Sequence, residues 1–350
     1  MADTKQPLKI TLDDLAGVVV PEDRPAVAAA SSGAKSYGTI TEAVDKAPEI
    51  TEERGSVMLQ GWFYLGVAGF LGATLGWGLC ERGFVDGEGV QRWGNIWMIP
   101  GIITLMCIGF GVAESTVERS LQKALLRGIL ALPLGVMLGF VFYFIANVIY
   151  NMCLALCAQA GVQSYRNPAV WIARGLAWAV FGAAGGTIYG IVGQSGKKAK
   201  YGILGGMIGA AIGGLIFDPI AMLTKGGGAS RAVGFALVGV ATGAAMGLVE
   251  SALKDRWLYV TAGPLAGKQF ILYKAQTTIG SQQQSDIYLF KDPNILLQHA
   301  AIVISGSRVQ LQALGAAFVG GNPIHSRMLQ DGDLLQIGRY AFRYRERQRS

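Results

Sequence analysis

Charge is scarce in this chain. Only 15% of its 350 residues are Asp, Glu, Lys or Arg, where an ordinary soluble domain carries about a quarter. Histidine is scarcer still, at two. With no paired acids at useful spacing and no nucleophile motif, nothing resembles a catalytic constellation, and no enzymatic activity is expected. The four cysteines form no metal pattern: Cys80 and Cys107 are isolated, and Cys153 and Cys157 stand four apart without a neighbouring histidine. No metal and no cofactor is expected. A cleavable leader is not expected either, because the first apolar segment begins near Val57 and is long enough to stay in a membrane.

What is abundant is apolar surface, at 51% of residues, and glycine, at 50. Six stretches are apolar over the roughly 20 residues needed to cross a hydrocarbon core. They run over about 57–80, 94–113, 128–150, 170–193, 201–223 and 230–252, bounded by charged residues, Asn or Pro. After the third, apolar character continues past Tyr150 before Arg166 and Pro168, which reads as an interfacial segment. Trp62, Trp77, Trp93, Trp97, Trp171 and Trp178 fall near span ends, where an indole suits the headgroup layer. Arg119, Lys123 and Arg127, and Lys197, Lys198 and Lys200, form compact basic loops; Arg82, Arg92 and Arg166 on the other side are spread out and partly matched by Glu81, Asp86 and Glu88. The bias places both termini in the cytoplasm, as for a bacterial inner-membrane protein. The net charge of +7 follows from these loops and a basic C-terminal end, so no nucleic acid is expected as a partner. In this orientation Cys80 and the Cys153/Cys157 pair share the outer side, where a disulfide is open to them. Residues 1–56 are acidic and rich in Ala, Ser, Thr and Pro and read as a disordered tail, with a short apolar run at 10–20 that could dock a partner.

The helical part repeats a spacing. Arg127 precedes Gly135 and Gly139, Arg174 precedes Gly182 and Gly186, Tyr201 precedes Gly209 and Gly213, and Arg231 precedes Gly239 and Gly243. A Gly-xxx-Gly step puts two glycines on one face and lets a neighbouring backbone approach closely, so these are read as helix-packing seams, within the chain or in a homo- or hetero-oligomer. Duplicated helical units also occur in transporters. Here the ionisable residues Glu114, Arg127, Arg174, Asp218, Arg231 and Glu250 fall near span ends rather than at the midplane, which weakens that reading.

From Trp257 the pattern changes to short strands with turn residues between them. Val309, Leu311 and Ala313 alternate with Arg308, Gln310 and Gln312, and Phe342 and Tyr344 alternate with Arg343 and Arg345. The order of landmarks is Gly267 to Leu272, Thr278-Ile279-Gly280, Ser285 to Leu289, Gln298-His299-Ala300, Phe318 to Gly321, then Leu329 to Gly338. Over about 256–347 this resembles the forkhead-associated (FHA) domain, a β-sandwich that reads phosphothreonine with loops at one end. The resemblance implies an arginine where Ser281 stands, a phosphate-binding serine at Leu296, an arginine at Leu297 and a peptide-holding asparagine at Gly320, with Asn322 two residues on. It makes His299 a framework residue, so neither it nor His325 is a base.

A phosphate needs fixed donors, usually arginine, to offset its desolvation. Leu296 and Leu297 supply none. Phosphate-independent protein contact through Ser281, Leu296, Leu297, Gln298, Gly320, Gly321, Asn322 and Arg327 is the expectation; improvised phosphothreonine binding is the weaker reading. The sequence thus describes a membrane α-helical bundle of about six spans with a C-terminal all-β sandwich: a tail at 1–56, a glycine-rich membrane domain at 57–253 and an FHA-like domain at 256–347. The expected function is docking of a protein partner beside the lipid bilayer. A transporter or channel regulated by that docking is the alternative.

Overall fold

The computed structural model describes residues 50–88, 91–162, 164–224 and 226–347. The predicted tail, including its run at 10–20, lies outside these residues except for 50–56, which follow the β-domain: Glu53 N–H donates to the Thr261 carbonyl at 2.8 Å and Ser56 N–H to Ala266 at 3.2 Å.

Six helices long and apolar enough to cross a membrane follow: α1 Gly61–Glu81, α2 Trp93–Val117, α3 Leu121–Gln159, α4 Pro168–Val192, α5 Gly196–Leu223 and α6 Gly227–Leu253. Each packs against its sequence neighbours and α6 closes the ring on α1, with α2 meeting α4 across the middle. Helix backbones come this close only where side chains vanish. A Cβ at Gly182 would overlap the carbonyl of Gly206, and one at Gly186 that of Gly202. Gly209 and Gly213 lie likewise on Ala241 and Val238, Gly239 and Gly243 on the carbonyls of Gly69 and Leu65, and Gly135 and Gly139 on Thr104 and Pro100. The arginines that open three of the four repeats each reach an acid on an adjacent helix: Arg127 to Glu114 at 3.2 Å, Arg174 to Asp218 at 2.9 Å and Arg231 to Glu81 at 2.6 Å. Charge is thereby neutralised at the helix ends while the interior stays apolar.

Two expectations are corrected, and the disulfide left open is not formed. No separate interfacial segment follows Tyr150; α3 continues as helix to Gln159, because an apolar run without Gly or Pro has nothing to stop it. Trp178 is 7% exposed and stacks on Phe235 at 5.8 Å; it belongs to the interior, with Arg174 one turn away over its ring. All four cysteines are free thiols. Cys80 faces α2 at Gly101, whereas Cys153 and Cys157 sit half-buried near the end of α3.

After α6 only Lys254 and Asp255 intervene before β1 Arg256–Ala262. The strands β2 Gln269–Ile271, β3 Gln276–Gly280, β4 Ile287–Tyr288, β5 Ala300–Ser305, β6 Arg308–Val319, β7 Asn322–Met328, β8 Leu334–Ile337 and β9 Tyr340–Glu346 complete a β-sandwich. They pair in the order β2-β1-β9-β8-β6-β5-β3-β4, with β7 on β6. β6 changes partner midway, since its first half pairs with β5 and its last three residues with β8. The register with β7 jumps between Gln312 and Ala317, so residues 313–316 leave the ladder with β7, while Ala313 still pairs with Ala300 of β5. The alternation at 308–313 and 340–346 buries Val309, Leu311, Phe342 and Tyr344 in one core with Leu258, Ile279 and Ile302.

Candidate functional site

The loops from β3 to β4 and from β4 to β5 meet at one end of the β-domain. Ser281 N–H donates to the Leu296 carbonyl at 2.9 Å and Gln282 N–H to Leu297 at 3.2 Å, while the Ser281 hydroxyl donates inward to the Ile295 carbonyl at 2.9 Å. The base of the second loop is held by Tyr340, whose hydroxyl donates to the Phe290 carbonyl at 2.6 Å and accepts from its N–H. Burial pushes that phenol up to about 12, so it remains a donor at any physiological pH.

His299 ties the loops to the 313–316 segment. Its Nδ1 accepts from the Leu296 N–H at 3.2 Å, which leaves the proton on Nε2 to be donated to the Ala316 carbonyl at 3.0 Å. Its own carbonyl accepts from the N–H groups of Leu314 and Gly315. Burial holds the imidazole below its ordinary value, against the Ala316 carbonyl and Asp292, which favour the charged form. It is a neutral strut, 1% exposed, and Gly315 is small because a Cβ there would strike the imidazole ring.

The eight sequence-predicted residues therefore divide. Ser281, Leu296, Leu297 and Gln298 cluster around His299. Gly320, Gly321, Asn322 and Arg327 do not join them. Gly320 N–H donates to the Leu334 carbonyl at 2.9 Å, and the Arg327 guanidinium reaches the Val319 carbonyl at 3.4 Å and Asp333 at 4.0 Å. The strand 317–319, about 10 Å long at ~3.3 Å per residue, separates the Gly320–Gly321 turn from the His299 end. The residues that stand beside the reading loops are Leu314, Gly315 and Ala316, which a linear comparison passes over because nothing in them is polar. Leu314 is 77% exposed, beside Leu297 at 69% and Leu296 at 41%. These three exposed leucines lie on the two segments that His299 ties together.

One flank of this end is occupied. The Gln283 carbonyl accepts from the Ser120 hydroxyl at 3.1 Å, the Gln283 side chain accepts from the Gln122 N–H at 3.3 Å, and the Lys123 ammonium donates to the Ser285 carbonyl. Behind them Glu118, 2% exposed, receives Lys268 at 2.6 Å and Lys123 at 3.4 Å. The β3–β4 loop is thus seated on the α2–α3 turn. Asp286 stiffens the seat: it accepts from the Thr278 N–H and hydroxyl and pairs with Lys274 at 2.8 Å. Burial alone would raise its pKa, yet Lys274 and the Thr278 donors outweigh that and hold it below the usual carboxylate range.

Residues 277–338 match the FHA domain family. Among curated proteins, this chain is 37% identical over 86 residues to an oxoglutarate dehydrogenase inhibitor of Corynebacterium efficiens, covering 24% of this chain and 60% of that one. It is 34% identical over 86 residues to the glycogen accumulation regulator GarA of Mycolicibacterium smegmatis, covering 24% and 54%. The chain thus spans little more than half the length of these relatives. Among solved structures, the FHA domain of the CT664 protein from Chlamydia trachomatis is 28% identical and covers 27% of this chain and 100% of that one, with a TM-score of 0.25. The C-terminal part of this protein is an FHA domain, a protein-interaction module of a family that often binds phosphothreonine, joined to six apolar helices that suggest a membrane protein.

Proposed function

We propose that the protein is a membrane-anchored docking platform that presents its FHA domain to the cytoplasm of a bacterium and captures a protein partner without requiring phosphate. The observation that carries this is the exposed leucine tip: Leu296, Leu297 and Leu314 project where phosphate donors would be needed, and the Ser281 hydroxyl beside them is committed to Ile295. An apolar tip of this kind suits a partner pocket that excludes water. Gln298 and the open flank of the β4–β5 loop supply the rim; Gly320, Gly321, Asn322 and Arg327 belong to a second, separate surface. Loops α2–α3 and α4–α5 share the FHA side and carry the compact basic clusters, which supports a cytoplasmic orientation.

The anchor reading is favoured over transport by the interior of the bundle. Its charged groups lie near helix ends, the buried hydroxyls of Thr104 and Thr242 are donated to their own helix backbone, and the void among α2, α4, α5 and α6 measures about 20 Å3 with an apolar lining. The test is a titration of the full chain in nanodiscs with phosphothreonine peptides and their unphosphorylated counterparts, repeated with Leu297→Asp. Equal binding of both forms, lost by about tenfold or more in Leu297→Asp, is expected; binding that vanishes on dephosphorylation overturns the reading.

A further inference from the structure

Between the helix ends and the underside of the FHA domain lies a cavity of about 240 Å3 whose walls come from both. Tyr273, Lys274 and Asp286 face it from the FHA domain, and Glu114, Lys123, Arg127, Lys198 and Glu250 from the helices. Its charges are not evenly cancelled. Arg127 and Lys198 converge on one oxygen of Glu114, at 3.2 and 2.7 Å, so two cations share a single carboxylate. Lys123, which also lines the cavity, shares Glu118 behind it with Lys268, each on its own carboxylate oxygen, at 3.4 and 2.6 Å. Arg127 meets Glu114 through a single nitrogen, Nη1, and its guanidinium geometry suits a tetrahedral oxyanion. On the other side, among the described residues, Glu250 has no ammonium against it in hydrogen-bond range; it accepts from the hydroxyls of Tyr189 at 3.0 Å and Tyr273 at 2.6 Å. One wall therefore has positive charge in excess, and another holds a carboxylate clothed in neutral donors.

The cavity also has a lateral wall. Leu126 and Leu130 line it and are 60% and 50% exposed on the outer face of α3, within the first turns of the span, at the depth of headgroups. Basic pockets at such a depth are where lipid phosphates are held. We propose that this cavity binds a phosphoethanolamine headgroup from the membrane, its phosphate on Arg127 and Lys198 and its ammonium towards Glu250, with the acyl chains leaving past Leu126 and Leu130. This rests on the bundle being membrane-embedded. Because both domains build the walls, an occupant present only in the seated state strengthens the seating, and by linkage seating strengthens its binding.

The experiment is native mass spectrometry of the full chain in detergent, titrated separately with short-chain phosphatidylethanolamine, short-chain phosphatidylglycerol and free phosphoethanolamine. Variants Leu126→Trp and Leu130→Trp narrow the lateral wall and leave every ion pair intact; Leu132→Trp, equally exposed on α3, is the control. One phosphatidylethanolamine per chain is expected, weakened at least tenfold by Leu126→Trp or Leu130→Trp, unchanged in Leu132→Trp, and at least tenfold preferred over phosphatidylglycerol. Binding of free phosphoethanolamine without lipid retention would overturn the membrane as the source and leave a soluble one. Equal retention of both lipids overturns the ammonium assignment. Undiminished retention in both Leu126→Trp and Leu130→Trp, or no complex with any of the three probes, overturns the site.

Discussion

At the scale of single residues, His299 shows how a polar side chain serves an apolar site. It is buried, neutral and bonded at both nitrogens, so a second proton would have to face the Leu296 N–H, a donor that cannot accept it. Its folded pKa lies below the ordinary histidine value of about 6.5. The sign follows: above that value both folded and unfolded states are neutral and the domain has its full stability; as the pH falls, the unfolded chain takes up the proton first and stability is lost. Thermal unfolding of the full chain between pH 7.5 and 5 is expected to show this decline in the β-domain transition, and His299→Asn, starting from a lower plateau, is expected to flatten it. The framework role of His299 was readable in the sequence because its position relative to Ile279-Gly280 and Ala300 is a local matter. The distance of Gly320 from His299 was not readable in the same way. Matching residues along one dimension cannot tell that β6 loses its register with β7 between Gln312 and Ala317 and that Gly320 falls on the far side of that shift.

At the scale of elements, the helices were legible from their apolar runs and from glycines at four-residue spacing, since both are properties of a few consecutive turns. The partners of the seams were not, because which backbone fills a glycine notch depends on residues tens of positions away. The α4–α5 seam is the tightest test. A side chain at Gly182 must displace the Gly206 backbone rather than a movable side chain, and overpacking of this kind costs about 1–3 kcal/mol or more. Gly182→Val is expected to lower the thermal stability of the bundle in detergent measurably, whereas Gly196→Ala, at an open helix start with nothing near it, leaves it within error. Trp178 was misplaced for a related reason: closeness to a span end says nothing of the face it occupies, and here that face is filled by Phe217 and Phe235.

For the whole molecule, the seat of the FHA domain on the helices is the feature least visible in the sequence, because Glu118, Lys123 and Lys268 are ordinary surface residues until the fold brings them together. Removing one charge from a buried pair leaves its partner uncompensated, at a cost of about 3–5 kcal/mol. Glu118→Gln is expected to loosen the seat while sparing the β-core: hydrogen exchange should quicken across 281–286 and stay unchanged in β5 and β9. If 281–286 keeps its protection, the seat is carried by other contacts. The long third helix adds a consequence of its own. Its 39 residues span about 58 Å at 1.5 Å per residue, close to twice the hydrocarbon thickness of about 30 Å, and tilting absorbs only part of the excess. In the proposed orientation, with its first turn beneath the FHA domain, the surplus would emerge on the opposite side and carry the half-buried Cys153 and Cys157 out of the bilayer, while Cys80 and Cys107 are buried within the bundle. The native chain thereby contains its own sidedness reporter: a membrane-impermeant maleimide applied to intact cells should modify this stub from the outside alone.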